Sequence, residues 1–401
     1  MSIRRAENRK CCLLAILFLA ALATAQGAVD LGIDVLEKSD YAMLRGKRVG
    51  LITNQTGINS QGTPTRALLF KHCNLVALYT PEHGLDGTEK AGRYVKSRRD
   101  RLTGVMAYSL YGPTRRPTPD MLRGIDVLVF DIQDIGCRSY TYISTMGRCM
   151  EAAGENGILF VVLDRPNPLG GLRVEGPSVE PRWISFVSPF PIPYVHGMTV
   201  GELAKMANAR GWNSGRCDLT VVPMRGWSRD MTWQGTGLRW VPSSPNIPRG
   251  TSPLYYVATG LVGELSGPGT GVGSLKPFES IAAKWLNAAN FTRYFNSLNL
   301  LGVAFEPFRS GQFEGSRIRI EPKAPANLTG LNIYAMAEMA RTNPRLFRQT
   351  KAAKLNLFYK CYGSASIRSQ IENGVPPGRI VASWKSYEHQ FRSARGHYLL
   401  Y

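Results

Sequence analysis

The chain has 401 residues, 44% of them hydrophobic, and carries a formal net charge of +20. This composition excludes an intrinsically disordered chain, and the length exceeds what one ordinary core organises, so two domains are expected. The charge favours anionic partners, but no zinc-finger, helix-turn-helix or RNP pattern supports nucleic acid as the partner.

Residues 1–25 have the pattern of a secretory signal peptide. A basic segment, MSIRRAENRK, precedes the apolar run CCLLAILFLAALA, and the small residues ATA end the pattern. Such a segment is removed from the mature protein, and the apolar run is short for a membrane span. We therefore expect an exported protein, periplasmic or secreted, without stable membrane insertion after cleavage. An uncleaved anchor is the alternative.

Residues 26–250 alternate between strand-like and helix-like patterns. Four short, almost continuous apolar runs are typical of parallel strands that are covered on both faces. These runs are RVGLIT (48–53), NLVALY (74–79), DVLVFDI (126–132) and ILFVVLD (158–164). Helical patterns separate or follow them at 64–71, 140–157 and 198–211, and one more strand is expected at 218–224. The alternation predicts an α/β domain with a Rossmann-like parallel sheet.

Residues 251–401 predict a smaller α+β domain that closes a cleft against the first one. The stretch 224–256 is rich in Trp, Pro and Gly, and it either links the domains or lines the cleft. Helical patterns recur near the end, in IRSQIENG and in RIVASWKSYEHQFRSARGHYLLY. In the second of these, Trp384, Tyr387 and Phe391 share one stripe.

Each of the four strands is followed by a polar motif: NQTG (54–57), TPEHG (80–84), DIQDIGCRSYTY (131–142) and DRPNP (164–168). Open parallel sheets bind ligands at the carboxyl ends of their strands, so these motifs are predicted to meet on one rim. The rim offers carboxylates, hydrogen-bonding groups and aromatic rings. They are Glu82, Asp131, Asp134 and Asp164; His83, Arg138, Asn54, Gln133 and Asn167; and Tyr140 and Tyr142.

Glycoside hydrolysis needs this combination, because one carboxylic acid protonates the leaving oxygen while a second group assists at the anomeric carbon. No G-x-G-x-x-G, P-loop or G-x-S-x-G pattern supports a nucleotide site or an esterase elbow. Each rim residue also has a purely structural interpretation. Glu82 could cap a helix or pair with Arg93, and Asp134 could pair with Arg138.

A divalent metal site is the competing chemistry. Glu82, His83, Asp131 and Asp164 could supply its ligands, but the chain has five histidines and none lies in an H-x-x-x-H or H-x-H arrangement. We therefore predict neither a metal nor another cofactor. A metal-dependent hydrolase or deacetylase remains an alternative function.

Taken together, the motifs resemble the NamZ-type exo-β-N-acetylmuramidase family over essentially the whole mature chain. They occur in order as TNQTG, PEHGLDG, YSLYG, PTPDMLRGIDVLVFDIQDIGCRSYTYISTM, LDRPNPLGG, EGP, HGMTVGELA, MRGWSRDM, WVPSSPNIP, KPFE and ARGHYLLY. The resemblance implies release of N-acetylmuramic acid from the non-reducing ends of peptidoglycan fragments, in a cleft between two domains.

By motif, Glu82 matches the catalytic carboxylate of the family and is expected to be the proton donor. We expect Asp131 to be the second catalytic group and His83 to orient Glu82. The resemblance implies a substrate-binding set of Asn54, Gln133, Asp134, Arg138, Tyr142, Asp164, Asn167, His196 and Glu264.

One loop departs from the family pattern. Val272 stands where an arginine is often found, so Lys276 or another base would have to meet the substrate's lactyl carboxylate, or the substrate differs. This departure also motivates a second alternative, a non-catalytic protein that binds cell-wall glycan. The sequence leaves the oligomeric state and any disulfide pairing open.

Overall fold

The computed structural model describes residues 29–401. The predicted signal peptide, residues 1–25, lies outside the described residues. Within 29–401, no helix combines the length and the apolar character that a membrane crossing requires.

The first half of the chain forms a seven-stranded sheet with the order β3-β4-β2-β1-β5-β6-β7. All its neighbouring pairs are parallel except β3–β4. The strands are β1 (Arg48–Thr53), β2 (Asn74–Thr80), β3 (Arg98–Arg99), β4 (Met106–Ser109), β5 (Val127–Asp131), β6 (Leu159–Leu163) and β7 (Leu219–Val222). The five strands predicted from apolar runs are all present, and the α/β expectation is confirmed.

Helices cover both faces of this sheet, which explains why its strands are apolar throughout. They are α1 (Gly32–Lys38), α2 (Thr65–His72), α3 (Tyr142–Glu155) and α4 (Val200–Arg210). The predicted capping box begins α4. Glu202 N donates to Thr199 Oγ1 at 3.2 Å, and Thr199 N donates to Glu202 Oε2 at 3.0 Å.

The second half contains a three-stranded antiparallel sheet with the order β8-β10-β9. Its strands are β8 (Ser280–Ala283), β9 (Val303–Ser310) and β10 (Phe313–Ile320). The helices are α5 (Ser252–Gly263), α6 (Ala288–Ser297), α7 (Leu328–Thr342), α8 (Ala352–Tyr362), α9 (Ser366–Glu372), α10 (Pro377–Ala382) and α11 (Lys385–Arg395). The last helical pattern of the sequence is thus two helices, and Ser383 Oγ bonds to Ile380 O at the break between them.

The two halves share one apolar core. The largest buried cluster contains Tyr142 and Phe160 of the first half together with Leu261 and Phe391 of the second. The chain terminus adds a polar contact, because the Tyr401 hydroxyl donates to Asp164 Oδ2 at 2.8 Å. A site between the halves therefore has walls that are held by continuous packing.

Candidate active site

A cavity of about 650 Å³ lies where the carboxyl ends of β2 and β5 face the second half of the chain. The loop after β2 contributes Glu82 and His83, and residues 139–142 enter from the segment before α3. The irregular stretch between the halves contributes Ser244 and Asn246, and α5, α8 and the loop 268–272 close the other side. Two of the four predicted strand-end motifs, those at 80–84 and 131–142, therefore form one wall of a two-sided cavity.

Glu82 is buried in this wall, with 9% of its surface exposed, and both of its carboxylate oxygens accept hydrogen bonds. Gly92 N donates to Oε1 at 2.7 Å, and Thr141 Oγ1 donates to Oε2 at 2.9 Å. Burial raises the pKa of Tyr111, and the neighbouring Glu82 carboxylate raises it further. Glu82 is therefore held in one orientation by donors from two loop segments.

The turn after β2 has an unusual backbone at His83. His83 has φ +69° and Gly84 has φ +76°. This left-handed backbone conformation costs a non-glycine residue such as His83 about 1 kcal/mol of conformational energy. The His83 Nδ1 atom lies 2.6 Å from the Glu89 carbonyl oxygen, so this nitrogen carries the proton. His83 therefore secures the loop 83–89 and lines the cavity, while Gly92 and Thr141 hold Glu82.

Aromatic rings line the interior of the cavity. The Tyr140 ring packs edge-on against Tyr142 at 4.9 Å and against Tyr256 at 6.0 Å between centroids. The Tyr142 hydroxyl donates to Ser243 O at 2.5 Å, which fixes its ring. Burial raises the pKa of Tyr142 well above its usual value, so this hydroxyl stays neutral. Such rings offer flat apolar faces to a bound sugar.

Glu264 is the second carboxylate of the cavity. It follows directly after α5, and burial raises its pKa, while the neighbouring Lys354 lowers it. Among the described residues that line the cavity, Glu82 and Glu264 are the only carboxylates. The structure thus brings Glu82, His83, Tyr142 and Glu264 of the predicted set together.

Asp131 does not face Glu82, which corrects the expected arrangement of the catalytic pair. It is fully buried and forms a two-pronged ion pair with Arg165, with Nε–Oδ1 at 2.5 Å and Nη2–Oδ2 at 2.9 Å. Thr65 Oγ1 also donates to Asp131 Oδ2 at 2.5 Å. Both oxygens of Asp131 are therefore engaged beneath the rim, and Asp131 does not line the cavity.

Three predicted substrate-binding amides brace the strand-end loops instead of lining the cavity. Asn54 Oδ1 accepts from Thr56 N at 2.9 Å, Gln133 Nε2 donates to Pro166 O at 2.8 Å, and Asn167 Nδ2 donates to Met198 O at 3.0 Å. Gln133 and Asn167 join separate backbone segments, whereas Asn54 stabilises its own turn, and each pairs a backbone group that would otherwise lack a partner.

Asp164 and Asp134 are buried in the scaffold as well. Asp164 accepts from Thr199 Oγ1 at 2.7 Å and from Gly201 N at 2.8 Å, so it caps α4. Burial raises its pKa to about 6. Asp134 accepts from Gly136 N at 2.7 Å, and burial raises its pKa to about 7. Neither residue lines the cavity.

Arg138 was expected to bind substrate, but the structure uses it to join the two halves. Its guanidinium is fully buried and donates to the carbonyls of Pro177, Ile192, Cys361 and Tyr362 at 2.6 to 3.0 Å. Two of these acceptors are at the carboxyl end of α8, where helix carbonyls lack intrahelical partners. A cation there also complements the helix dipole.

His196 is also remote from the cavity lining. Met198 N donates to its Nδ1 at 3.2 Å. Burial, together with the nearby Arg395 and Arg138, lowers the pKa of His196 to about 3, so the ring is neutral. It supports the turn that precedes α4.

The residues described in 29–401 contain no group of three or more His, Cys, Asp or Glu side chains placed to hold a metal ion. The four residues considered for a metal site are divided between two environments. Glu82 and His83 line the cavity, whereas Asp131 and Asp164 are engaged within the scaffold.

Sequence reasoning missed Thr141, Tyr111 and Lys354 as members of the site. Thr141 lies inside the motif SYTY, between the two tyrosines that are predicted rim residues. Its partner Glu82 is 59 residues away, so no local pattern connects them. Lys354 is in a segment without any polar motif, and only the packing of α8 brings it to the cavity.

Comparison with known proteins gives a consistent result for both halves. Residues 49–251 match the family model described as "Exo-beta-N-acetylmuramidase NamZ, N-terminal", and residues 254–401 match its C-terminal counterpart. The peptidoglycan beta-N-acetylmuramidase NamZ of Bacillus subtilis (strain 168) is 42% identical over 389 residues, which cover 93% of this chain and 91% of that protein.

Two crystal structures of DUF1343 family proteins from Bacteroides fragilis NCTC 9343 have the same fold. One has a TM-score of 0.86 and 43% identity, and covers 93% of this chain and 99% of its own. The other has a TM-score of 0.72 and 27% identity, and covers 94% of this chain and 99% of its own. With both family models matched across its two halves, the chain belongs to the NamZ exo-β-N-acetylmuramidase family.

Proposed function

We propose that this protein is an exo-acting glycoside hydrolase that releases N-acetylmuramic acid from the non-reducing ends of peptidoglycan fragments. One observation carries the mechanism: Glu82 is held by two donors in a cavity lined by aromatic rings and a second carboxyl group, Glu264. The name of the Bacillus subtilis relative supports the choice of sugar and polymer. A cavity with walls from both halves suits the capture of a chain end.

The two carboxyl groups have different environments, and this difference suggests different roles. Glu264 is the group whose pKa burial raises, so it suits donation of a proton to the leaving oxygen. Glu82 accepts hydrogen bonds at both oxygens, so it suits stabilisation of positive charge at the anomeric centre or activation of the attacking nucleophile. This assignment reverses the expectation that Glu82 is the proton donor.

The remaining lining groups would position the sugar. The Tyr140 and Tyr256 rings supply apolar faces, and Asn246 and Ser244 supply groups that hydrogen-bond to hydroxyls or to an acetamido group. Asp131 and Arg138 act from behind the walls, by holding the strand-end loop and the end of α8 in place. These residues are positioning elements in this proposal.

We also propose that the protein works outside the cytoplasm, in the periplasm or as a secreted enzyme. The support is the basic, apolar and small-residue pattern of residues 1–25 together with a substrate that belongs to the cell wall. Detection of the mature amino terminus near residue 26 in an extracytoplasmic fraction would test this. A cytoplasmic protein with an intact terminus would contradict it.

The test of the activity uses a chromogenic β-N-acetylmuramic acid glycoside and the variant Glu82→Gln. We expect kcat to fall at least about 10³-fold, because a catalytic carboxylate is lost without a change in volume. Glu89→Gln is the matched control, since Glu89 is exposed on the same loop. Thermal unfolding of both variants checks the fold.

Three outcomes would contradict the proposal. Glu82→Gln activity close to that of the unmodified protein would remove Glu82 from the mechanism. Binding of peptidoglycan fragments by calorimetry with no sugar released over long incubation would instead identify a non-catalytic glycan-binding protein. Inhibition by a chelator, reversed by a divalent ion, would favour the metal-dependent alternative.

A further inference from the structure

The positive charge of the chain is almost absent from the cavity. The chain carries +20, yet Lys354 is the only lysine or arginine among the described residues that line the cavity. Lys276, expected to replace a missing arginine, lines a neighbouring groove with Arg317 and Phe313. Arg138 is fully committed to backbone carbonyls. One cation is therefore positioned to meet a ligand that enters this cavity.

The position of Lys354 on α8 places it on the helix face that lines the cavity. Lys354, Leu357 and Cys361 are separated by three and four residues, so they share one helix face, and all three line the cavity. Cys361 is buried at the inner end of this face, and Lys354 is exposed at the outer end. The ammonium group therefore stands at the mouth, above the apolar contact of Leu357.

Lys354 is available to a ligand. Within residues 29–401 it takes part in no ion pair, and it lowers the pKa of the neighbouring Glu264. On the facing loop, Val272 offers only an apolar side chain that is 55% exposed. A carboxylate brought to this mouth would have Lys354 as its nearest cationic partner within the lining.

Arg115 is the nearest competitor for this role. Its guanidinium stacks over the Tyr111 ring at 3.6 Å from the centroid, and its Nη1 atom is buried without a hydrogen-bond partner in the described structure. It does not line the cavity, however. Its contacts indicate that it supports the wall that carries Tyr111 and Phe186.

We propose that Lys354 recognises the carboxylate of the substrate sugar and thereby selects an acidic N-acetylated sugar over its neutral counterpart. The inference rests on the proposed function for the identity of that sugar. N-acetylmuramic acid differs from N-acetylglucosamine by a lactyl ether that ends in a carboxylate. An ammonium group on a flexible stem at the mouth fits a charged group that projects outward from the ring.

The test compares Lys354→Gln, Lys354→Arg and the control Lys351→Gln on the β-glycosides of N-acetylmuramic acid and N-acetylglucosamine. Lys351 is exposed, immediately precedes α8 and does not line the cavity. We expect Lys354→Gln to raise KM about tenfold for the acidic sugar, the effect of one lost charge-assisted hydrogen bond. KM for the neutral sugar should not change, and kcat should change less than KM. Lys354→Arg should retain the preference.

Calorimetry with the two free sugars separates this inference from the proposed function. If the protein turns over neither glycoside, the proposed function fails, but a preference for the acidic sugar that disappears in Lys354→Gln still supports Lys354. Turnover of neither glycoside together with binding of neither sugar overturns both. A preference that persists in Lys354→Gln, an equal loss for both sugars, or a loss seen only in Arg115→Gln overturns the role of Lys354.

Discussion

The Thr141 hydroxyl donates to Glu82 Oε2 at 2.9 Å and so joins the segment that enters α3 to the end of β2. Both residues are buried; Glu82 was predicted from the sequence, whereas Thr141 lies between the predicted rim residues Tyr140 and Tyr142. A carboxylate held in this way is oriented before substrate arrives, which is how an active site avoids reorganisation during the reaction.

Replacing Thr141 by valine should impair catalysis while preserving the fold. The change keeps the shape but removes the only hydroxyl that bonds to Glu82 Oε2 within the described structure. We expect kcat to fall about 10- to 100-fold, because a hydrogen bond to a charged group contributes about 1.5 to 3 kcal/mol. Steady-state kinetics measures the loss, and Thr141→Ser is the control that retains the donor. Equal activity of the valine and serine variants would show that Thr141 does not orient Glu82.

Glu264→Gln should reveal the proton donor through its dependence on the leaving group. A sugar leaving group needs protonation, so its release should fall about 10²- to 10⁴-fold, whereas an aryl glycoside with an acidic phenol should lose far less. Rates on the two substrate types measure this difference. The control is Glu306→Gln, since Glu306 is a surface residue paired with Arg319.

The pH dependence of kcat tests the same assignment. A proton donor must be protonated, so activity falls as pH rises through its pKa, and the raised pKa of Glu264 moves this alkaline limb upward. Lys354 lowers the Glu264 pKa, so Lys354→Gln should shift the limb to higher pH. In the leaving-group experiment, the opposite result would contradict the assignment: if Glu82→Gln, and not Glu264→Gln, lost activity mainly on the sugar leaving group, Glu82 would be the proton donor.

Arg138→Met should destabilise the protein far more than it affects substrate binding. It leaves four carbonyls, three of them in buried hydrogen bonds, without their donor. We expect a loss of roughly 3 to 5 kcal/mol in the free energy of unfolding, measured by urea titration. Arg123→Met is the control, because Arg123 forms an exposed pair with Asp120. Unchanged stability with a raised KM would instead support the substrate-binding role expected from sequence.

Asp134 should make stability depend on pH. Burial raises its folded-state pKa to about 7, above the ordinary unfolded value of about 3.9. The folded state therefore binds more protons, and stability should decrease as pH rises from about 4 to about 7. Asp134→Asn should reduce this decrease by roughly 2 to 4 kcal/mol, measured by urea unfolding at several pH values. The exposed Asp120→Asn is the control, and an unchanged slope in Asp134→Asn would contradict the argument.

Local sequence patterns predicted much of the first half of the fold. The runs at 48–53 and 74–79 became β1 and β2 within one residue, because unbroken apolar runs are stable only where both faces are covered. The capping box was also predictable, because Thr199 and Glu202 are only three residues apart. For the second half, the sequence predicted only the α+β class and not the positions of its strands. The reason is that β9 and β10 also pack against α6 and β8, which are distant contacts.

By itself, the sequence determined the α/β architecture, the polar rim at the strand ends and the placement of Glu82 after β2. Only the tertiary structure decided which rim residues face the cavity. Asp131 pairs with Arg165, 34 residues away, and Asp164 accepts a hydrogen bond from Tyr401, 237 residues away. Neither aspartate lines the cavity. A buried charge or polar group must find a partner, and the partner's identity depends on contacts that no local pattern encodes. The same long-range packing brought Thr141 to Glu82 and Lys354 to the mouth of the cavity.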